Sequence, residues 1–363
     1  MRLISTSQIQ SDMVLARPIY NEGRLILAEG TNNLGRYIKS LNRLGISEIY
    51  IEDTISEGID VPDVLTVKTR NICKETIRNT FKDFTNRGKI QVEGIEKSID
   101  LVIEEIMQNK DVLISLNDIG AADEYTYTHS VSTTVYALLL AQRLGYKIEM
   151  MKRLAIGTIL HDIGKIYIDH DIMFKEGKLT DKEYEYVKKH TLLGYNALKS
   201  CDSLSELSRI ISLTHHEHID GTGYPRGLKG DELHQFSKIV AIADVYDALT
   251  STRCYRPKWS NKQAMDMLMQ YCGTKFDTDL VCRFLQLIAV YPNGTQVKLT
   301  DGRVGIVKEQ NPGMPLRPVV RIFAEADGSK KEMYDVNLMI ELNIVIAEDE
   351  FDYIIDDKSK QVG

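Results

Sequence analysis

The stretch His161-Asp162-Ile163-Gly164-Lys165 sets a histidine and an aspartate side by side at a predicted helix end. Neighbours on a helix diverge by about 100°, so a single core position does not account for both members of such a pair. At a loosened helix end both can turn toward one metal ion or toward two neighbouring ones. Working outward, all eight histidines fall between His129 and His234. A single histidine in a helix is more often structural than a ligand. The series His129, His161-Asp162, His190, His215-His216 and Asp244 weakens that bland reading. Its members fall on separate predicted helices or helix ends, as expected when a bundle builds a metal site from facing helices. Asp162 offers two oxygens, suited to bridge metals about 3.5–4 Å apart. An imidazole and carboxylate set without thiolate favours iron, manganese or zinc over calcium.

Three further groups belong to this chemistry. Lys165 follows a glycine that could end the helix, and near metals its ammonium could meet a phosphate oxygen or steady a departing alkoxide. Elsewhere such a lysine reads as surface. The run HHEHIDGTGYPRGLKG, residues 215–230, places three glycines, a proline and an aspartate in its first thirteen residues. That makes a fixed loop beside the paired histidines. Tyr224 on it could stack on a base or hydrogen-bond a phosphate, or it could plug the core. Arg253 and Arg256 follow Asp244, and two guanidiniums there suit a nucleotide with two phosphates. Surface salt bridging is their bland alternative.

The wider chain of 363 residues is long enough for two or three units. With 43% hydrophobic and 27% charged residues, it is ordinary for a globular protein. The net charge of −7 argues against a general DNA or RNA binder, though not against a small anionic nucleotide. Five cysteines form no CxxC pair and read as reduced. No signal peptide is visible and apolar runs are too short to span a bilayer, so the cytoplasm is the expected location, without membrane insertion.

The expected fold class is multidomain and mainly α. A small N-terminal α/β unit covers residues 1–60, with strands in MVLARPIY, RLILAEG and EIYIED. A helical connector follows over 61–115. Its apolar stripe of Ile99, Val102, Ile103, Ile106 and Met107 needs a partner, either the catalytic domain or a second chain in a homodimer. Residues 116–291 read as a helical catalytic bundle, with a capping box at Thr180–Glu183 and an N-cap at Ser260. Residues 292–352 form a small β-rich unit punctuated by Asp301-Gly302, Asn311-Pro-Gly313 and Asp327-Gly328. Residues 353–363 form a polar tail.

The order YTYTHS, HDIGK, KEGKLTDKEYEYVKKH, HHEHIDGTGYP, IADVYDALTSTRCYR and GTKFD resembles the HD-GYP family over about residues 116–290. The resemblance implies a helical bundle that hydrolyses cyclic di-GMP to pGpG or onward to GMP. It also implies ligands at His129, His161, Asp162, His190, His215, His216 and Asp244, with Lys165 at the scissile phosphate. Gly223, Tyr224 and Pro225 of the GYP loop, with Arg253 and Arg256, would hold the substrate. Some members carry a glutamate four residues before the first histidine, supporting a third metal. Here Tyr125 stands there, so two divalent ions are expected, iron or manganese ahead of zinc. Where the family reads DRPYR, this chain has Thr252 and Cys254. The implied mechanism is attack by a metal-bridged hydroxide, in line with the departing 3′ oxygen. Two alternatives stand beside it: an HD phosphohydrolase acting on another nucleotide, and a catalytically silent cyclic di-GMP receptor.

Overall fold

The computed structural model describes the chain apart from residues 11–12, 22–23, 47, 89, 110–124, 174, 176, 252–257, 330–331 and 350–363. It contains two compact units. One comprises residues 63–118 and 122–288, and the other brings residues 1–62 together with 289–363.

In the helical unit, α2 (Val67–Arg87) and α3 (Val92–Gln108) precede α4 (Tyr125–Arg143). Residues 129–141 of α4 are buried without interruption, so it is a central helix enclosed on every side. Its hydroxyls are accommodated by bonding back along the helix: Ser130 donates to the Thr126 carbonyl and Thr134 to that of Ser130. Around it stand α5 (Ile148–Ile159) and α10 (Gln235–Thr250). Further out, α5 packs on α9 (Glu206–Thr214), and α9 on α8 (His190–Lys199). The short helices α6 (His170–Met173) and α7 (Asp181–Val187) lead into α8, while α11 (Asn261–Gln270) and α12 (Thr278–Leu285) complete the unit. Thr180 and Ser260 both carry full capping boxes, with Glu183 and Gln263 as the reciprocal partners.

The segment expected as a connector is helical but belongs to the bundle. Its α3 stripe, Ile99, Val102, Ile103 and Ile106, is buried, and α3 packs on α2, α4 and α5. Met107 is half-buried. Of the two partners expected for the stripe, the catalytic bundle is the one that covers it, and a second chain is not needed there.

The other unit starts with β1 (Arg2–Ser5), which pairs with β5 (Glu48–Glu52) in an antiparallel sheet of order β1-β5-β2, with β2 at Val14–Leu15. Strands β3 (Ile19–Asn21) and β4 (Arg24–Leu27) form an antiparallel hairpin. Helix α1 spans Ile38–Arg43. Residues 296–348 form a five-stranded antiparallel sheet of order β10-β6-β7-β8-β9. Its strands are β6 (Gln296–Leu299), β7 (Val304–Glu309), β8 (Val319–Ala324), β9 (Tyr334–Asn337) and β10 (Ile346–Glu348). The terminal segments, read separately from sequence, share a core: Ile59 packs with Val304, Ile306, Phe323 and Ala324. Among the described residues, no helix is long and apolar enough to cross a membrane.

Candidate metal centre

The end of α5 makes the centre possible. After Ile159 the chain leaves the α-helix, and Asp162, at φ −98° and ψ 8°, leads into a 3₁₀ turn over Ile163–Tyr167. His161 and Asp162 thereby escape the 100° divergence of helical neighbours and point to one place. Gly164 does not act by ending the helix, as its position in the sequence had indicated. A Cβ there would lie 1.9 Å from the His190 carbonyl oxygen and 2.5 Å from the Gly194 nitrogen, so this glycine lets the turn press against α8. That contact brings His190, the first residue of α8, to the site. His215 caps the C-terminus of α9 and His216 follows it. His129 comes from α4 and Asp244 from α10.

Two triads of potential ligands result: His129, His161 and Asp162, and His190, His215 and His216. Asp162 lies between them. Its Oδ2 is 3.3 Å from His161 Nε2 and 3.8 Å from His129 Nε2. Its Oδ1 is 3.4 Å from His190 Nε2 and 3.8 Å from His215 Nε2. Asp244 repeats the pattern, with Oδ1 3.0 Å from His129 Nε2 and Oδ2 3.9 Å from His216 Nδ1. The Lys165 ammonium pairs with Asp162 Oδ2. All seven residues and Lys165 come together.

The ring orientations are set from behind. His129 Nδ1 is 2.6 Å from Asp247 Oδ2, and the Nδ1 atoms of His161, His190 and His215 face the carbonyls of Thr158, Val187 and Ile211 at 2.6, 2.8 and 2.9 Å. Donation from Nδ1 leaves Nε2 as the coordinating atom of each ring. Asp247 had not been singled out. Its signal was present, three residues after Asp244 and so on the same helix face.

Protonation matches a cation site. Burial pushes His190 down, pushes His215 well below the ordinary range and takes His216 to about 3, so these rings are neutral. Burial alone would raise Asp162, but the Lys165 ammonium and His161 hold it well below the carboxylate range. Burial likewise opposes ionisation of Asp244, and the His129 hydrogen bond overcomes it. His129 is the exception: against burial, Asp244 and Asp247 raise it to about 9. Two buried atoms, His161 Nε2 and Asp162 Oδ1, have no hydrogen-bond partner. Orphaned donors and acceptors of this kind are costly, and a coordinated cation would satisfy both. The residues fit bound metal.

The family of HD domains matches residues 100–280, and the KOW domain associated with HD domains matches residues 296–350. The chain belongs to the HD-GYP family. A cyclic di-GMP phosphodiesterase of Pseudomonas aeruginosa is 29% identical over 341 residues, 86% of this chain and 80% of that one. A 3′3′-cGAMP-specific phosphodiesterase of Vibrio cholerae is 36% identical over 168 residues, 46% of this chain and 38% of the relative. An HDG"Y"P protein from Bdellovibrio bacteriovorus shares the fold, with a TM-score of 0.51 at 19% identity, over 78% of this chain and 97% of that one.

In this HD-GYP protein the GYP loop folds back on itself. A Cβ on Gly223 would lie 2.3 Å from the His218 nitrogen, so a glycine there lets the loop pack closely against Glu217 and His218. The buried Glu217 carboxylate, also missed from sequence, accepts the Arg226 and Leu228 amides at 2.7 and 3.1 Å and staples the loop. Tyr224 stacks on His216, ring centroids 4.8 Å apart. Pro225 is exposed. Arg253 and Arg256, with Thr252 and Cys254, lie outside the described residues, as does the Tyr125 side chain.

Proposed function

We propose that this protein is a phosphodiesterase that hydrolyses cyclic di-GMP at a site holding two divalent transition-metal ions. The observation that carries the reading is the Asp162 carboxylate, one oxygen turned to each ligand triad. His129, His161 and Asp244 would hold one ion with Asp162. His190, His215 and His216 would hold the other with the same aspartate. Iron or manganese suits this set best, with zinc as a further candidate. Two such ions supply a water activated at neutral pH and neutralise charge on the phosphate.

The chain's own groups do the rest. Lys165, whose side chain is 27% exposed, stands where its ammonium can meet charge growing on the phosphoryl or leaving 3′ oxygen. Burial raises the Tyr224 phenol, so it remains a hydrogen-bond donor at neutral pH while its ring offers a stacking face. Arg253 and Arg256 would grip phosphate. The four described cysteines are free thiols, in keeping with a cytoplasmic setting.

The names of the relatives support a cyclic dinucleotide substrate. The test is incubation of the anaerobically purified full chain, its metal content measured, with cyclic di-GMP and with 3′3′-cGAMP. The expected result is faster conversion of cyclic di-GMP, to pGpG or GMP. Faster conversion of 3′3′-cGAMP would reassign the substrate. Tight binding without turnover in metal-replete protein would favour a silent receptor and overturn the proposal.

A further inference from the structure

The ring series at the site does not stop at Tyr224. Tyr184 on α7 meets the Tyr224 ring edge-on, with centroids 6.5 Å apart. The Lys188 ammonium lies 4.8 Å from the centroid of Tyr184 and 5.3 Å from that of Tyr224. A cation shared by two ring faces holds both rings in register. Lys188 is itself fixed by an ion pair with Glu185 at 2.5 Å. Yet Tyr184 is 48% exposed. The result is a row of rings, His216, Tyr224 and Tyr184, running from the metal ligands outward to a half-open aromatic face.

We propose that Tyr184 is a stacking platform for the second nucleobase of a dinucleotide substrate, held in place by Lys188. The inference rests on the cyclic dinucleotide reading above. A substrate with one phosphodiester at the ligand triads puts one base near Tyr224, and its other base extends beyond that ring. An exposed aromatic face there takes any base by stacking, because every base has a π-face. Tyr184 thus acts on affinity and does not touch the reacting phosphate. The capping box at Thr180 and Glu183 fixes the start of α7 and, with it, the direction of the platform.

The test compares equilibrium binding and initial rates for cyclic di-GMP in the full, metal-loaded chain and in Tyr184→Ala and Tyr184→Phe. Because Tyr184 is half-exposed, its replacement leaves the core intact. The platform predicts that Tyr184→Ala raises both Kd and KM about tenfold, with metal content unchanged and kcat shifted less than about threefold. Tyr184→Phe, which keeps the face, should restore wild-type values. A Kd within twofold of wild type in Tyr184→Ala overturns the inference, as does a Tyr184→Phe variant as weak as Tyr184→Ala. If the wild type binds without turnover, the phosphodiesterase reading falls while the ratio of Kd values still decides the platform. If the wild type does not bind at all, both fall.

Discussion

At Asp247, Oδ2 sits 2.6 Å from His129 Nδ1, on the side of the ring away from the ligand cluster. Such a partner orients a coordinating ring and raises its basicity, and its loss costs about 10–100-fold in metal affinity. Asp247→Asn should therefore weaken ion binding at least about tenfold in competition with a chelator, while helical content stays at the wild-type level. Unchanged affinity would reduce Asp247 to a packing residue. Lys165 makes a different prediction, because the charge it meets grows during the reaction. Lys165→Ala should lower kcat about 100-fold with metal content nearly intact, and a change in KM alone would contradict that role. The ligand candidates were legible because adjacent His-Asp and His-His pairs defeat the ordinary helical pattern. Asp247 was not, since an acidic residue at i+3 looks the same in sequence whether it faces solvent or a buried ring. Glu217 was hidden for a similar reason, lying within a run already explained by its histidines.

Helix ends and close crossings decide whether the ligands converge. The turn after α5 touches α8 through Gly164, where an added Cβ would lie 1.9 Å from the His190 carbonyl oxygen. Gly164→Ala must push α8 away, at a cost of about 3 kcal/mol, and should lose metal along with thermal stability. A variant with wild-type Tm and metal content would show that the crossing is not tight. The α7 capping box gives a pH prediction. Glu183 is held down at about 2 by the Lys175 ammonium and the Thr180 amide and hydroxyl. A depressed carboxyl stabilises its helix at pH values above the ordinary range near 4.5, and that contribution disappears as pH falls toward 2. Hydrogen exchange of α7 amides should thus lose protection over that interval in the wild type and show no such step in Glu183→Gln. The Thr180–Glu183 box was readable as a local hydroxyl–carboxylate spacing, whereas Ser260 was readable only as an N-cap and Gln263 as its partner was not. Strand β1 was not, because four residues carry too little alternation to mark a strand without β5 beside them.

Across the whole molecule, the least legible feature is the shared core of the terminal segments. Ile59 meets Ile306 and Phe323 across more than two hundred residues of intervening sequence, and no local pattern encodes that pairing. Ile306 is fully buried. Ile306→Ala should cost about 2–5 kcal/mol and lower exchange protection around Ile59 and in β7 together; loss confined to β7 would mean the segments fold separately. Much of the helical bundle, by contrast, was readable, because its chemistry and its helix signals repeat locally, although α2 and α3 read as a connector to it. Asp162 stands between two sets of candidate ion ligands, and counting bound metal shows whether it joins them. Mass spectrometric analysis of the anaerobically purified full chain should give two transition-metal ions per chain, falling below one in Asp162→Ala. One ion or none in the wild type, or two ions retained in Asp162→Ala, would contradict it.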